Sequence, residues 1–361
     1  MASSVKKPIV RQVGHYKIIE HHIDPFDHLN RVTTIMGTSG SGKTVVAKNI
    51  IRAIAPYISV VFLVSPTESS NGSFTDIVPK AFMHDDLEAE MLDKIMTRQR
   101  DINPFYKKAN QIEVLRTLYL RHPSTEIDRK IKDADDIATE LQRTANLLTK
   151  EEERSMKRKE IAETNKDKKI SYYKSAIKAN KSAYKHEKLS EAERITLTFL
   201  DFNPNFLLII EDSADKFKER KIAPKMREIL YKSRHYRMTT IIICQNESDM
   251  TPNLRTNSHV TIFTKDEVAM GFFEKSRVPK QLVSDYKAMI AAGFFTDYRV
   301  MFYYKDDPKD RIRSFKGDEI NKIKVGSKAF LEYAKKIEKE DELDESNPYY
   351  AELFGREELS F

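Results

Sequence analysis

Short apolar runs alternate with amphipathic stretches over most of the chain. Arg31 to Met36 (RVTTIM) is β-branched and runs into a glycine-rich turn, which predicts a strand. From Thr44 the apolar positions Val45, Val46, Ile50, Ile51 and Ile54 recur at helical spacing until Pro56. Ser59 to Val64 (SVVFLV) is almost continuously apolar, as expected of a strand covered on both faces. Ser65-Pro66-Thr67 closes it, and the polar stretch Glu68 to Ser73 reads as loop. Phe206 to Ile210 (FLLII), Thr239 to Cys244 (TTIIIC) and His259 to Thr264 (HVTIFT) predict further strands, with a helix over 225–235 between the first two. A helical pattern follows over 266–292, broken near Pro279. Arg299 to Tyr304 and Arg311 to Phe315, flanking Asp307-Pro308, predict a hairpin.

Between the second and third of these strands the pattern changes. Leu87 to about Phe199 is charged, free of glycine and rich in Lys, Glu, Arg and Ala, which predicts helices broken near Pro104 and Pro123. Alternating strands and helices imply an α/β fold, a mainly parallel sheet with helices on both faces, interrupted by a charged α-helical insertion. The expected division is an N-terminal segment 1–30, a core in two parts at 31–86 and 200–317, the insertion at 87–199, and an acidic tail at 318–361. The N-terminal segment is polar. Its histidines, His15, His21, His22 and His28, fit no zinc spacing and are expected at the surface.

Composition narrows the class. The 361 residues are 40% hydrophobic, enough for a substantial core. No apolar run approaches the roughly 18 residues of a membrane helix, and the first residues lack the apolar centre of a secretory signal. A single cysteine, Cys244, excludes an internal disulfide framework and fits an intracellular, reducing setting. Lys and Arg number 62 against 55 Asp and Glu, a net of +7. Residues 338–361 hold nine acids and two bases, so the remainder carries +14. A basic body suits a polyanionic partner such as nucleic acid.

The sharpest signal is Gly37-Thr38-Ser39-Gly40-Ser41-Gly42-Lys43-Thr44, which fits GxxxxGK[ST] between a predicted strand and a predicted helix. Glycines let successive N–H groups turn toward phosphates, and the helix N-terminus adds partial positive charge. Lys43 would reach the β- and γ-phosphates of ATP, and the Thr44 hydroxyl would coordinate Mg²⁺. Phe206 to Ile210 delivers Glu211-Asp212 to a strand's carboxyl edge, where ligands bind in open α/β sheets. One acid can serve the metal shell and the other the attacking water. P-loop ATPases of the additional-strand class usually have Asp before Glu. By position Glu211 would serve the metal and Asp212 the water, and the inverted order leaves the exchange of roles open. Gln245, at the tip of the following strand, can sense the γ-phosphate. Arg255 in NLRTN is the first candidate for an arginine inserted into a neighbour's site, with Arg234 and Arg237 in SRHYR next.

These pieces, in this order, resemble the FtsK–HerA superfamily of DNA-pumping ATPases, and within it the poxvirus-type genome-packaging ATPases of large DNA viruses and virophages. The resemblance rests on GTSGSGKT at 37–44, VVFLVSPT at 60–67, LLIIED at 207–212, SRHYRMTTIIICQ at 233–245 and LRTN at 254–257. It covers roughly 30–85 and 200–305 and leaves out the insertion and the tail. It implies a P-loop NTPase fold of the additional-strand type and an ATP- and Mg²⁺-dependent motor that moves double-stranded DNA into a capsid. It further implies a ring of identical subunits, capsid or portal-vertex partners, and a place in the host cytoplasm, at the virus factory, or in the virion. Two other classes fit the same loop: a P-loop kinase, with the insertion as a lid, and a nucleotide-binding assembly protein without catalysis.

The insertion offers one more feature. Residues 151–190 hold twelve Lys or Arg and seven Asp or Glu, and Lys174, Lys178, Lys181, Lys185 and Lys188 would share one face of a continuous helix. That face could track DNA phosphates, or be part of a solvated, partly mobile helical arm, or a docking surface for capsid protein.

Overall fold

The computed structural model describes residues 9–245, 251–276, 278–307, 310–320 and 322–340. The described strands are β1 (Val10–Val13), β2 (Tyr16–Glu20), β3 (Val32–Met36), β4 (Val60–Val64), β5 (Met83–His84), β6 (Phe206–Glu211), β7 (Met238–Cys244), β8 (Val260–Phe263), β9 (Arg299–Tyr304) and β10 (Ile312–Lys316). The helices are α1 (Pro25–His28), α2 (Lys43–Ile54), α3 (Glu68–Asn71), α4 (Ala89–Ala109), α5 (Ile112–Arg121), α6 (Thr125–Ala145) and α7 (Glu151–Ala179). They continue as α8 (Glu191–Thr198), α9 (Ile222–Lys232), α10 (Pro252–Asn257), α11 (Asp266–Lys275), α12 (Lys280–Ala291) and α13 (Lys328–Glu340).

All ten strands form one sheet in the order β1-β2-β10-β9-β8-β3-β7-β6-β4-β5. From β8 through β3, β7, β6 and β4 to β5 every pairing is parallel. The apolar runs occupy the centre of the sheet: every residue of β3, β6, β7 and β8 is buried. Burying one such Val, Leu or Ile contributes about 1.5–3 kcal/mol, so these strands anchor the fold. β7 lies between β3 and β6, so the strand after the glycine-rich turn and the acid-tipped strand are not neighbours. This is the additional-strand arrangement of P-loop NTPases.

The predicted hairpin forms, with Tyr303 opposite Ile312, and β9 also pairs antiparallel with β8. The N-terminal segment differs from expectation. Val10–Val13 and Tyr16–Glu20 pair as a hairpin, and β2 joins β10 in parallel. Only Val13 and Ile18 of these two strands are buried, so the apolar signal was too thin to predict strands. His21 and His28 are buried, not at the surface. The His21 ring packs on Phe302 with centroids 4.3 Å apart, and the β9 aromatics supply that cover from far along the chain. His28 Nδ1 lies 2.8 Å from Thr33 Oγ1, and complete burial lowers its pKa to about 3.

The described residues divide into two compact units, one drawn from 9–100, 204–305 and 310–340, the other from 101–203 with 306–307. In the first unit, α13 turns Phe330, Ala334 and Ile337 into the main core, and the Phe330 and Phe82 rings lie 4.6 Å apart. Residues 341–361, the most acidic part of the expected tail, lie outside the described residues.

The second unit is helical. α6 and α7 pack along each other, joined by a short turn. Ile127, Ala134, Ala138 and Ala145 are the buried positions of α6, and the small alanines allow close approach. α5 adds Leu115, Leu118 and Tyr119 to a core shared with Ile170, Tyr173 and Ile177 of α7. Pro104 does not break its helix, contrary to expectation, and lies inside α4. It is exposed, as is Arg100, whose carbonyl has no intrahelical partner because proline carries no N–H.

Candidate active site

The glycine-rich turn connects β3 to α2 and sits where β3, β7 and β6 all end. Three backbone bonds lash these tips together. Gly37 N–H donates to the Cys244 carbonyl at 3.2 Å, Asp212 N–H to Ile243 at 3.0 Å, and Thr264 N–H to Met36 at 2.9 Å. Gly37 is required by close approach, because a Cβ there would lie 1.8 Å from Thr264 Oγ1. Gly42, the residue before α2, has φ +89°, a left-handed setting that favours glycine. Thr38, Ser39 and Gly40 form the exposed crown. Thr44 is in the first turn of α2, half-buried.

Lys43 is buried, and its ammonium donates to the Thr38 carbonyl at 3.0 Å. Burial lowers its pKa, opposed by the charges of Asp212 and Glu211. The structure thus brings Lys43 within the field of both predicted acids.

Glu211, the last residue of β6, is buried and accepts from the Ser65 hydroxyl at 2.9 Å. Burial pushes its pKa up. The Ser65 bond opposes this, the charges of Asp212 and Glu68 add to it, and Lys43 opposes it. Asp212 takes φ +49°, which aspartate tolerates better than most residues. Its Oδ2 accepts from Gln245 Nε2 at 2.9 Å, while its Oδ1 is shielded from solvent without a partner. Gln245 and Asp212 are therefore joined directly, and Lys43 lies in the field of Asp212 and Glu211.

The candidate arginines are elsewhere. Arg255 lies in α10, which leads into β8 at the edge where β3 and β8 begin, and Arg237 immediately precedes β7. Arg234 is just upstream and accepts from Arg237 N–H through its carbonyl. β7 has seven residues, so at about 3.3 Å each the start of that strand is roughly 20 Å from its Gln245 end.

Sequence reasoning missed three residues here. Ser65 looked like part of a strand-closing turn, and Thr264 like the end of a strand. Glu68 was expected in a loop but opens the short helix α3 and is buried. Its Oε1 accepts from Phe74 N–H at 2.5 Å, which ties down the following turn, and burial raises its pKa. A polar Ser-Pro-Thr-Glu run carries no mark of burial. The only available signal was its place after a buried strand next to the acidic one.

The lysine face expected on the insertion does not form. α7 ends at Ala179, so Lys181, Lys185 and Lys188 lie beyond it. Lys178 pairs with Asp201 at 2.8 Å, and Lys174 donates to the Phe202 carbonyl at 3.3 Å. The sequence Asn180-Lys181-Ser182 caps and turns the chain, which the lysine spacing by itself could not reveal.

The oxygens near Lys43 suit a hard divalent cation. Thr44 and the two carboxylates are oxygen donors only, and Asp212 Oδ1 is a buried lone-pair donor lacking a partner.

No family profile matches the chain. It is 28% identical over 355 residues to the uncharacterized protein B354L of African swine fever virus (isolate Pig/Kenya/KEN-50/1950), covering 90% of this chain and 93% of that protein. Among solved structures it is similar to the genome packaging NTPase B204 from Sulfolobus turreted icosahedral virus 2 in complex with sulfate, at 12% identity and a TM-score of 0.37, covering 81% of this chain and 98% of that one. It is also similar to the pCW3 conjugation coupling protein TcpA with ATPγS, at 12% identity and a TM-score of 0.35, covering 87% of this chain and 66% of that one. Among the described residues, no helix is long and apolar enough to cross a membrane.

Proposed function

We propose that the protein is an ATPase that moves double-stranded DNA during packaging of a viral genome, acting as a homo-oligomeric ring. The observation that carries the ATPase reading is the convergence of Lys43, Glu211, Asp212 and Gln245 at the tips of β3, β6 and β7. The motif resemblance to FtsK–HerA pumps supports the DNA substrate, and the relative matched across 93% of its length is a viral protein, which supports a viral setting with capsid or portal partners.

The roles follow from the environments. The turn's N–H groups and the Lys43 ammonium hold the ATP phosphates and oppose their developing charge. Glu211, buried with a raised pKa and oriented by Ser65, takes the proton of the attacking water. Asp212 and Thr44 would hold Mg²⁺, which when bound supplies charge neutralisation at the phosphates. This exchanges the roles that position alone assigns, and the partnerless Oδ1 of Asp212 supports the exchange. Gln245, bonded to Asp212, reads the presence of the γ-phosphate. Arg255, Arg234 and Arg237 lie at the opposite strand edge, so an arginine finger drawn from them serves a neighbouring subunit.

The test is ATP turnover by the full chain with magnesium, with and without long duplex DNA, for wild type and Lys43→Ala, with particle mass measured alongside. DNA-stimulated hydrolysis by an oligomer, lost in Lys43→Ala, is the expected result. ADP formation only with a small acceptor, with the phosphoryl group recovered on that acceptor rather than as inorganic phosphate, would indicate a kinase. Unaltered assembly behaviour without any hydrolysis would indicate a scaffold.

A further inference from the structure

Around Thr38 and Thr264, two hydroxyl protons serve three short contacts. Ser41 Oγ lies 2.7 Å from the Thr38 carbonyl and 2.6 Å from Thr264 Oγ1, and Thr264 Oγ1 lies 3.2 Å from the Met36 carbonyl. Each hydroxyl has one proton to give. Two arrangements are therefore open. In one, Ser41 donates to Thr264 and Thr264 donates to Met36. In the other, Thr264 donates to Ser41 and Ser41 donates to Thr38.

The Thr38 carbonyl is also where the Lys43 ammonium rests, at 3.0 Å. While Lys43 donates there, the first arrangement leaves no carbonyl unserved. Once Lys43 leaves for a phosphate, Thr38 keeps only the Ser41 N–H, at 3.3 Å, and the second arrangement adds the Ser41 hydroxyl to it. Thr264 is 5% exposed, its N–H bonds the Met36 carbonyl, and its oxygen faces Ser41 from outside the loop. Gly37 leaves the space that Thr264 Oγ1 fills, 1.8 Å from where a Cβ would be.

We propose that Thr264 is a positioning residue of the nucleotide site. Its hydroxyl and that of Ser41 form a two-state relay that holds the Thr38 carbonyl when Lys43 moves from the loop to the phosphates. Thr264 touches no nucleotide in this scheme and acts through Ser41. The proposal rests on reading residues 37–44 as a nucleotide-binding loop.

The experiment compares Thr264→Ser with Thr264→Ala, which differ from each other only in the oxygen. The full chain is titrated with a fluorescent ATP analogue and magnesium, and kcat and KM are measured on the same preparations. Thr264→Ala is expected to weaken binding about 5- to 10-fold, the usual reach of one hydrogen bond, with kcat at saturation within about 2-fold of wild type. Thr264→Ser is expected to bind within about 2-fold of wild type. Ser41→Ala is expected to match Thr264→Ala, and the double variant to be no weaker than the weaker single, because the two hydroxyls act as one unit. Equal binding by the Ala and Ser variants at position 264 overturns the relay, as do losses that multiply in the double variant. Failure of the wild type itself to bind the analogue overturns the nucleotide-loop reading and this proposal with it.

Discussion

The Ser65 hydroxyl donates to Glu211 Oε2 across 2.9 Å, joining the tips of β4 and β6. Burial raises the Glu211 pKa and this bond holds it down, so removing the bond lets it rise further. A glutamate that takes a proton from water must first be ionised. Ser65→Ala should therefore move the acidic limb of the kcat–pH profile to higher pH. The loss of turnover should be several-fold at the acidic end of the profile and shrink as pH rises and Glu211 becomes ionised in both proteins. A uniform loss at all pH values would remove Glu211 from the proton-accepting role.

Gly37 admits no side chain, since a Cβ would meet Thr264 Oγ1 at 1.8 Å and Ser41 Oγ at 2.6 Å. Thr264 directly follows β8, is buried, and its Oγ1 cannot swing away without losing its contacts to Ser41 and the Met36 carbonyl. Gly37→Ala should cost ATP affinity by roughly two orders of magnitude, because the loop must shift by more than a bond length and its N–H groups lose their aim. Circular dichroism should remain that of the wild type. Unchanged ATP affinity in this variant would show that the turn does not bind phosphate.

His28 provides a stability test at a site remote from the chemistry. Its folded pKa is about 3 against an ordinary 6.5, because burial disfavours the charged ring. Between those values the unfolded chain binds the proton and the folded chain does not. Stability is therefore complete above pH 6.5 and falls as pH drops from 6.5 toward 3, by up to about 1.4 kcal/mol per pH unit for one proton. His28→Asn can keep a bond to Thr33 without titrating. Urea midpoints at pH 7 and pH 5 should differ less in this variant than in wild type. An equal difference in both proteins would mean that His28 titrates normally in the fold.

Arg255, Arg234 and Arg237 share the edge of the sheet opposite Lys43. If Arg255 completes a neighbour's site, Arg255→Ala and Lys43→Ala should each be inactive alone, while a mixture regains a measurable fraction of the DNA-stimulated turnover. In the mixed ring, an intact Lys43 site then faces an intact arginine. Mixtures as inactive as the separate variants would remove Arg255 from this role, and the same experiment can then be applied to Arg234 and Arg237.

The sequence by itself determined the central strands, because β3, β6, β7 and β8 are buried on both faces and so read as uninterrupted apolar runs. It also determined the loop Gly37–Thr44, whose chemistry is local: each glycine, Lys43 and Thr44 acts from its place in one turn and one helix start. Tertiary structure alone decided what depends on strand order. The placing of β7 between β3 and β6 brings Gln245 onto Asp212, 33 positions apart in sequence, and the pairing of β4 with β6 brings Ser65 onto Glu211. His21 became buried because the aromatics Phe302, Tyr304 and Phe315, distant in sequence, surround it, which local polarity does not reveal. The lysines past Ala179 lost their common face because a helix end depends on capping and packing, which repeat spacing does not encode.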